Sequence, residues 1–169
     1  MNNHRWSGFH FLCASLFLVV LLAPLRAQAS AELNVMPLPA NCQMGSGSLK
    51  IDGAFSVVLA GYKEPRLERA LDRFTRQLSR QTGLVLPHGA TDPAQATLVV
   101  TTDHQSKLVQ EPGEDESYAL EVTPGSAKIH AATPLGAMHG LQTFLQLISI
   151  SAKGFIVPAV NIQDQARFV

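Results

Sequence analysis

The 169-residue sequence lacks most of the patterns that identify a chemistry directly. Its 13 basic and 13 acidic residues balance, which leaves no electrostatic footprint for nucleic acid or for an anionic membrane. Its two cysteines are too few for a disulfide framework. No two histidines have the i, i+4 spacing of a helical zinc site, and no Gly-x-Ser-x-Gly elbow occurs. Metal catalysis and nucleophilic acyl transfer therefore have no support, and we predict no metal and no cofactor.

The first 29 residues have the organisation of a secretory signal peptide. Arg5 precedes an apolar run, Phe11 to Leu25, and Ala27-Gln28-Ala29 then supplies small residues at the spacing that a signal peptidase accepts. The run has about 15 residues, whereas a membrane-spanning helix requires about 20. We predict an exported protein, periplasmic or extracellular, with no stable membrane anchor and a mature chain that begins near Ser30.

The mature chain, about 140 residues, is long enough for one domain with a hydrophobic core. Asn34 to Met36 predicts a short strand, and Gly45-Ser46-Gly47-Ser48 predicts a turn. The Gly-x-Gly in that turn does not predict a phosphate loop, because the strand Leu49-Lys50-Ile51 follows it and not a helix. Asp52-Gly53 predicts a hairpin turn that joins this strand to Phe55 to Leu59.

Two segments have the apolar spacing of amphipathic helices. Pro65 suits the first position of one helix, which ends at Gly83, and Thr133-Pro134 suits the cap and first position of the other. Gly136 and Gly140 lie one turn apart, which predicts a close approach to a neighbouring layer. The apolar stripes comprise Leu67, Ala70, Leu71, Phe74 and Leu78 in the first helix, and Leu135, Met138, Leu141, Leu145 and Ile148 in the second.

Alternating apolar residues predict further strands around the second helix. Tyr118 to Val122 and Ala127 to Ala131 form a hairpin, with Pro124-Gly125 at the centre of a type II turn. Phe155 to Ile162 is predicted as a final strand, in which Pro158 implies an edge position or a bulge.

The residues that might otherwise suggest chemistry have structural explanations. Cys42 has no basic neighbour to lower its pKa, so we predict a small buried filler. Asp115-Glu116 resembles the paired carboxylates of glycosidases, but four acids between Glu111 and Ser117 predict a hydrated loop. His139 has no partner nearby in sequence and is predicted on a helix surface or interface. The arginines of the first helix alternate with carboxylates, which predicts a solvated face. We assign no catalytic, cofactor-binding or metal-binding residue.

Five segments resemble the N-terminal domain of family-20 β-N-acetylhexosaminidases. They are Val35-Met36-Pro37-Leu38-Pro39, the Gly-rich turn with Leu49-Lys50-Ile51, the helix from Arg66 to Gly83, the strand from Glu116 to Leu120, and Ala131 to Leu147. The most specific part is the Ser-Tyr strand together with the Gly-x-x-x-Gly-Leu-x-Thr-x-x-Gln segment at 136–146. The resemblance covers nearly the whole mature chain in order. It implies an α+β fold over residues 30–164, with a mostly antiparallel sheet and two main helices packed on one face.

In that family the domain precedes a catalytic (β/α)₈ barrel. The barrel carries an Asp-Glu pair in a His-x-Gly-Gly-Asp-Glu setting, where Glu is the general acid/base and Asp orients the 2-acetamido group that attacks the anomeric carbon. Gly113-Glu114-Asp115-Glu116 lacks the His and the paired Gly, so no catalytic residue is carried over. The resemblance implies that the chain alone is inactive.

The resemblance also implies partners for the full-length protein. These are a catalytic barrel in cis and glycans that end in N-acetylglucosamine or N-acetylgalactosamine. The last predicted strand runs into Arg167-Phe168-Val169 without a polar tail after it, and residues 165–169 are expected to begin a linker into the barrel.

Two alternatives remain open from the sequence. One is a stand-alone exported module that binds glycans or a protein partner. The other is an accessory domain of a different glycosidase family with a similar N-terminal layer. The codons after Val169 distinguish them, since a stop favours the first alternative and a barrel sequence identifies the family.

Overall fold

The computed structural model describes residues 33–87 and 92–165, and within them the chain forms seven strands and two helices. The predicted signal peptide lies outside these ranges, as do residues 166–169 of the expected linker. In chain order the elements are β1 (Asn41–Ile51), β2 (Val57–Gly61), α1 (Pro65–Thr82), β3 (Leu98–Thr102), β4 (Tyr118–Val122), β5 (Ala127–Ala131), α2 (Pro134–Gln146), β6 (Ser149–Ser151) and β7 (Gly154–Asp164).

The seven strands form one mixed sheet with the order β1-β7-β4-β5-β3-β2, and the short β6 also pairs with β7. The pairs β1-β7, β7-β4, β4-β5 and β6-β7 are antiparallel, while β2-β3 and β3-β5 are parallel. Both helices contribute buried side chains to one hydrophobic core with the sheet. The expected α+β fold, with a mostly antiparallel sheet and two helices on one face, is confirmed.

Helix α1 begins and ends where the sequence predicts. Pro65 occupies the first turn, and Gly83 adopts the left-handed conformation at φ 71° while its N–H donates to the Ser79 carbonyl at 2.8 Å. The buried face is spaced as a helix requires and comprises Leu67, Ala70, Phe74, Leu78 and Thr82. The predicted solvated face is confirmed, because Arg69, Arg73, Arg76 and Arg80 are exposed beside Glu68 and Asp72.

Helix α2 packs across β3, β4 and β5 and against α1. The ring of Phe144 lies 5.8 Å from that of Phe74 on α1 and 5.9 Å from that of Phe55, measured between centroids. All three rings are buried, at distances that favour aromatic pairing. The two helices therefore contact each other within the core through Phe74 and Phe144.

The hairpin β4-β5 is confirmed, but its turn differs from the prediction. Thr123 and Ser126 close the turn through reciprocal hydrogen bonds, with the Thr123 N–H donating to the Ser126 carbonyl at 2.9 Å. Gly125 does not adopt a positive φ, which a type II turn requires at that position. The prediction of a type II turn is therefore wrong.

The predicted hairpin around Asp52-Gly53 is wrong. The turn itself forms, since the Phe55 N–H donates to the Asp52 carbonyl at 3.0 Å. Strands β1 and β2 then separate to opposite edges of the sheet, where β1 pairs with β7 and β2 pairs with β3. The run Val57-Val58-Leu59 is buried at every position, which suits a parallel strand covered on both faces better than an exposed hairpin strand.

Two further predictions at the start of the domain are wrong. Asn34 to Met36 is irregular rather than a strand. Gly45 to Ser48 is not a turn but part of β1, where the pairing register with β7 shifts between Met44 and Ser48. Gly47 has a φ of 87°, so the glycine permits a local irregularity without ending the strand.

The register shift explains the proline in the last strand. Strand β7 is internal rather than an edge, so the edge position predicted for Pro158 is wrong. Pro158 pairs with Ser48, directly at the shift, and the irregularity predicted as the alternative is present there. A proline has no N–H to give to a ladder, which favours a break in pairing at this point. The sequence analysis missed β6, which turns into β7 at Gly154 with a φ of 102°.

Candidate functional site

The acidic loop before β4 uses its carboxylates as local structure. Asp115 Oδ1 accepts a hydrogen bond from the Ser117 N–H at 2.8 Å. Hydrogen bonds from the side chain and the backbone of Ser117 lower the pKa of Asp115. A general acid at neutral pH needs a raised pKa, so the environment of Asp115 acts in the opposite direction. The exposed Asp115 is consistent with the hydrated loop that the sequence predicts.

Glu116, the other carboxylate of the pair, contacts His139 on α2. Glu116 Oε2 lies 3.4 Å from His139 Nε2, and the side chains are 36% and 49% exposed. His139 thus lies on the helix surface as predicted, but with a partner that the sequence analysis did not find. A contact of this exposure contributes little to stability. It joins the loop to the helix, and His139 also lines a groove of about 220 Å³ between α1 and α2.

Cys42 is exposed, so its prediction as a buried filler is wrong. It lies on the edge strand β1, opposite the buried Ile162 of β7. Partial desolvation raises the pKa of the Cys42 thiol, which disfavours the reactive thiolate. The prediction rested on the absence of a basic neighbour, which bears on the reactivity of the thiol and not on its burial.

Of the other histidines in the described ranges, His104 is close enough to the acidic loop to contribute electrostatically to the lowered pKa of Asp115. His130 Nε2 is 3.1 Å from Asp103 Oδ1, and His104 contacts the neighbouring Gln105 carbonyl. Within residues 33–87 and 92–165, no group of three or more His, Cys, Asp and Glu side chains is arranged to hold a metal ion. Neither helix in these ranges combines the length and the apolar character needed to span a membrane.

A groove of about 540 Å³ lies at the N-terminal end of α1. Among the residues that line it, Glu64 is the one carboxylate, and it accepts a hydrogen bond from the Ser106 hydroxyl at 2.9 Å. Arg66 also lines the groove but donates to the carbonyls of Lys107 and Leu108 at 3.3 and 3.1 Å. These groups fix the loop after β3 onto the helix. They do not provide the two carboxylates that glycoside hydrolysis uses.

The most tightly built region is the strand–helix junction, which we define as residues 115–118 with residues 133–143. Thr133 caps α2 by accepting from the Gly136 N–H at 3.3 Å, and its hydroxyl donates to the Asp115 carbonyl at 2.7 Å. A side chain at Gly136 would overlap the Ser117 carbonyl oxygen. The close approach predicted from the two glycines is confirmed at this position.

Gly140 allows the same closeness one turn later. A Cβ at this position would lie 2.8 Å from Ile129 Cγ2 and 3.2 Å from Tyr118 Cδ2. The helix backbone therefore rests directly on β4 and β5, with the glycines in place of side chains. The residues that carry the family resemblance build this junction, so the motif specifies packing between a strand and a helix.

Tyr118 links the junction to the end of the last strand. Its hydroxyl lies 2.6 Å from Thr143 Oγ1 on α2 and donates to Asp164 Oδ2 on β7 at 3.4 Å. Burial raises the pKa of Tyr118 to about 12, and the neighbouring Asp164 carboxylate adds to that shift. The Asp164 Oδ1 atom also accepts from the Ala40 N–H at 3.0 Å. The sequence analysis missed this connection because its members are up to 124 residues apart.

Comparison with known proteins identifies the domain. Residues 32–165 match the model of glycosyl hydrolase family 20, domain 2. Beta-hexosaminidase subunit A1 of Dictyostelium discoideum is 29% identical over 90% of this chain, and Beta-hexosaminidase 3 of Arabidopsis thaliana is 31% identical over 90% of it. The alignments cover 28% and 32% of those proteins, so the chain spans about a third of the length of the curated relatives it matches.

A solved structure has the same arrangement of elements. The chitobiase of Flavobacterium johnsoniae matches 81% of this chain with a TM-score of 0.75 and 33% sequence identity, and the match covers 21% of that protein. The family model covers most of the chain, and the fold agrees with that of a family member. The chain therefore belongs to glycosyl hydrolase family 20 and has the N-terminal accessory domain of its hexosaminidases.

Proposed function

We propose that this chain is the noncatalytic N-terminal domain of an exported β-N-acetylhexosaminidase. The observation that carries the proposal is the match of residues 32–165 to a single domain of family 20, while the relatives are about three times longer. A domain that accounts for a third of the protein leaves room for a catalytic barrel in the same polypeptide. The domain would support that barrel.

The contacts of the acidic loop favour a noncatalytic role for the domain. Retaining glycoside hydrolysis needs an acid/base group near neutral pKa, placed across the scissile bond from its partner. In this chain Asp115 is held ionised by Ser117, and Glu116 is directed to His139. Asp115 thus orders its own loop and Glu116 contacts the helix surface, so each carboxylate already has a structural partner.

The barrel would perform substrate-assisted hydrolysis on glycans that end in N-acetylglucosamine or N-acetylgalactosamine. The relatives' names support the class of substrate, since two are beta-hexosaminidases and one is a chitobiase. In the proposed mechanism the substrate's own 2-acetamido oxygen attacks the anomeric carbon, and a barrel glutamate protonates the leaving oxygen. This chain contributes no group to that step.

Export is a separate part of the proposal and rests on residues 1–29. Their charged start, apolar run and Ala-x-Ala site are typical of a cleaved signal peptide. N-terminal sequencing of the protein recovered from the periplasm or the medium should begin near Ser30. Recovery of an uncleaved chain in the cytoplasm would contradict export without affecting the family.

The activity is tested on the protein that continues beyond Val169. The purified protein should hydrolyse the chromogenic 4-nitrophenyl N-acetyl-β-D-glucosaminide, and the matching galactosaminide reports the sugar preference. The corresponding glucoside, which has no 2-acetamido group, is the control and should not be hydrolysed at a comparable rate. Equal rates on the glucoside would contradict substrate assistance, and no turnover of any of the three would contradict the proposed activity.

A further inference from the structure

One face of α1 carries a line of arginines that the packing of the domain does not require. The basic residues of the helix follow a spacing of three and four residues, and they are Arg66, Arg69, Arg73, Arg76 and Arg80. At 3.6 residues per turn, this spacing keeps all five within about 80° of the helix circumference. The buried face of the helix, which includes Phe74, is on a different side. A solvated face requires polar residues, but it does not require a single charge at this spacing.

Arg66 differs from the other four arginines because it has partners within the domain. Its guanidinium donates to the carbonyls of Lys107 and Leu108 and lies 3.8 Å from the Glu64 carboxylate. The other four are exposed, and no carboxylate or hydrogen-bond acceptor among the described residues pairs with their side chains. We call these four the arginine track, and they are Arg69, Arg73, Arg76 and Arg80.

The carboxylates of α1 do not pair with the arginine track. Glu68 and Asp72 are the acidic residues of the helix, and the helical spacing places both on one flank of the track. Asp72 follows Arg69 by three residues and precedes Arg76 by four, which are the separations at which helix side chains form ion pairs. Neither pair is among the ion pairs of the described residues. The guanidinium groups of the track are therefore available to an external anion.

Each arginine of the track also lines a depression in the surface. Arg69 lines the groove of about 540 Å³ at the start of α1, and Arg73 lines the groove of about 220 Å³ between the helices. A third depression, of about 320 Å³, is lined by Arg73, Arg76 and Arg80. At a rise of 1.5 Å per residue, the track extends for about 17 Å along the helix axis. The cations thus follow one line along the surface.

The chemistry of the arginine track suits a linear chain of anionic sugars. Arginine presents a planar fork of donors that matches the oxygens of a carboxylate or a sulfate. Successive arginines of the track are about 5 Å apart along the helix axis, which is close to the length of one sugar ring. The groove beside Arg69 also contains the partly exposed ring of Tyr62 and the amide of Gln105. These groups suit the apolar face and the hydroxyls of a sugar.

Two other kinds of polyanion fit this surface less well. A nucleic-acid-binding domain is ordinarily basic as a whole, whereas this chain has balanced charges and a pI near 7.0. A helix that lies on an anionic membrane turns its apolar face to the lipid, but the apolar face of α1 is buried in the core. A single polysaccharide chain is thin enough for a narrow line of cations.

We propose that the arginine track binds an anionic polysaccharide, a glycan chain that carries carboxylate or sulfate groups. The chain lies along α1 and its anionic groups pair with the arginines, while one end rests in the groove beside Tyr62. This is a carbohydrate site separate from the proposed catalysis. It attaches the protein to an anionic glycan matrix.

Binding of polygalacturonate to the protein that continues beyond Val169 tests this inference. Isothermal titration calorimetry measures the affinity for an oligosaccharide long enough to span the arginine track. This glycan has no 2-acetamido group, so it is not a substrate of the proposed barrel. We expect binding at low ionic strength that weakens as salt is added, and no binding of the neutral glycan dextran. No binding of polygalacturonate, or equal binding of dextran, would overturn the inference.

A triple variant locates the binding on α1. R73Q/R76Q/R80Q should weaken the affinity for polygalacturonate about tenfold or more, because it removes three exposed charge pairs. Glutamine is a good helix former, so the variant should fold. Circular dichroism checks the fold, and the rate on the chromogenic N-acetylglucosaminide should be unchanged. An unchanged affinity of the folded variant would contradict binding at the track.

The matched control removes three positive charges outside α1. K50Q/K128Q/K153Q replaces exposed lysines and should change the affinity by less than about twofold. Equal losses in the two triple variants would show that polygalacturonate responds to net charge alone, which would overturn the inference.

Other anions identify the class of ligand. Heparin should compete with polygalacturonate, and a tighter binding of heparin supports the proposal and identifies sulfate as the preferred group. Tighter binding of single-stranded DNA than of either glycan, or of phosphatidylserine vesicles, would overturn it in favour of nucleic acid or a membrane. A protein that binds polygalacturonate but does not turn over the N-acetylglucosaminide loses the proposed function and retains the arginine track.

Discussion

At the scale of single residues, Tyr118 joins more of the domain than any motif in the sequence suggests. It lies at a buried position of the alternating strand β4. Its ring packs against Gly140, where a Cβ would lie only 3.2 Å from Tyr118 Cδ2. Its hydroxyl then reaches Thr143 on α2 and Asp164 on β7. One buried phenol therefore connects a strand, a helix and the end of the last strand.

Removal of the Tyr118 hydroxyl should destabilise the domain. Tyr118→Phe keeps the ring and leaves the buried Thr143 hydroxyl without this partner, so we expect the free energy of unfolding to fall by about 1–2 kcal/mol. Urea denaturation measures the change. Tyr62→Phe is the control, because Tyr62 is 37% exposed and its backbone N–H and carbonyl are hydrogen-bonded to Thr102. A loss equal to that of Tyr62→Phe would contradict the role of the hydroxyl.

Tyr118 also predicts a dependence of stability on alkaline pH. Its pKa is raised to about 12 in the folded domain, whereas a tyrosine in an unfolded chain titrates near 10. Below pH 10 the Tyr118 phenol is protonated in both the folded and the unfolded state, so it adds no pH dependence to the free energy of unfolding. Between about pH 10 and 12 the unfolded chain loses a proton that the folded domain retains, so the free energy of unfolding falls as pH rises.

Tyr118→Phe is the reference for that measurement. The difference in the free energy of unfolding between the two proteins should shrink from pH 10 to pH 12, since the variant has no Tyr118 proton to lose. A difference that is constant over this range would show that the folded and unfolded pKa values of Tyr118 are the same.

At the scale of elements, the approach of α2 to the sheet depends on Gly136. A Cβ at this position meets the Ser117 carbonyl, which belongs to the backbone and cannot rotate away. Gly136→Ala should lower the free energy of unfolding by more than about 2 kcal/mol, although alanine is the better helix former. Thermal or urea unfolding monitored by circular dichroism measures this.

Alanine substitutions at two other glycines serve as controls for Gly136→Ala. Gly140→Ala meets side-chain atoms of Ile129 and Tyr118 rather than backbone, and it should cost less than Gly136→Ala. Gly125→Ala lies in the β4-β5 turn with nothing within 4 Å and no positive φ, so we expect a change within about 0.5 kcal/mol. Equal effects of alanine at 136 and 125 would contradict the close approach.

The elements differ in how far the sequence determines them. Helices α1 and α2 and the β4-β5 hairpin are specified locally, by Pro65, Gly83, Thr133 and the alternation around Pro124-Gly125, and their positions were predicted correctly except at the end of α2. Ile148, predicted on the apolar stripe of that helix, lies beyond its last residue, Gln146. The pairing of β1 is not local, because its partner β7 lies more than 100 residues later in the chain. A turn sequence such as Asp52-Gly53 predicts that the chain bends, but it does not predict which strand pairs with the strand on either side of the turn.

In the candidate site, too, some features follow from the local sequence and others depend on contacts between distant elements. The hydrated Asp115-Glu116 loop follows from its composition, and the close approach of α2 follows from the spacing of Gly136 and Gly140. The partner of His139 and the exposure of Cys42 depend on which elements meet, and neither was predicted. Contacts across the sheet have no periodic signal in the sequence.

At the scale of the whole molecule, the topology of the sheet places β1 and β2 at opposite edges, although they are consecutive in the chain. Cysteines at positions 43 and 161, which are exposed and paired between β1 and β7, should form a disulfide under mild oxidation in a Cys42→Ser background. Cysteines at 43 and 62 would face each other only if β1 and β2 formed a hairpin around Asp52-Gly53, and they should not cross-link. Mass spectrometry after proteolysis distinguishes the two results.

The contacts of the domain connect the acidic loop, helix α2 and the last strand. The Thr133 hydroxyl donates to the Asp115 carbonyl, and Tyr118 joins β4 to Thr143 on α2 and to Asp164 at the end of β7. These contacts suit the proposed role of a domain that supports a neighbouring barrel.

The central claim is that catalysis resides outside this chain, and one measurement tests it directly. Purified residues 30–169, shown to be folded by circular dichroism, are incubated with 4-nitrophenyl N-acetyl-β-D-glucosaminide beside the protein that continues beyond Val169. We predict release of 4-nitrophenol by the longer protein and none above background by residues 30–169. Turnover by residues 30–169 alone would contradict the account.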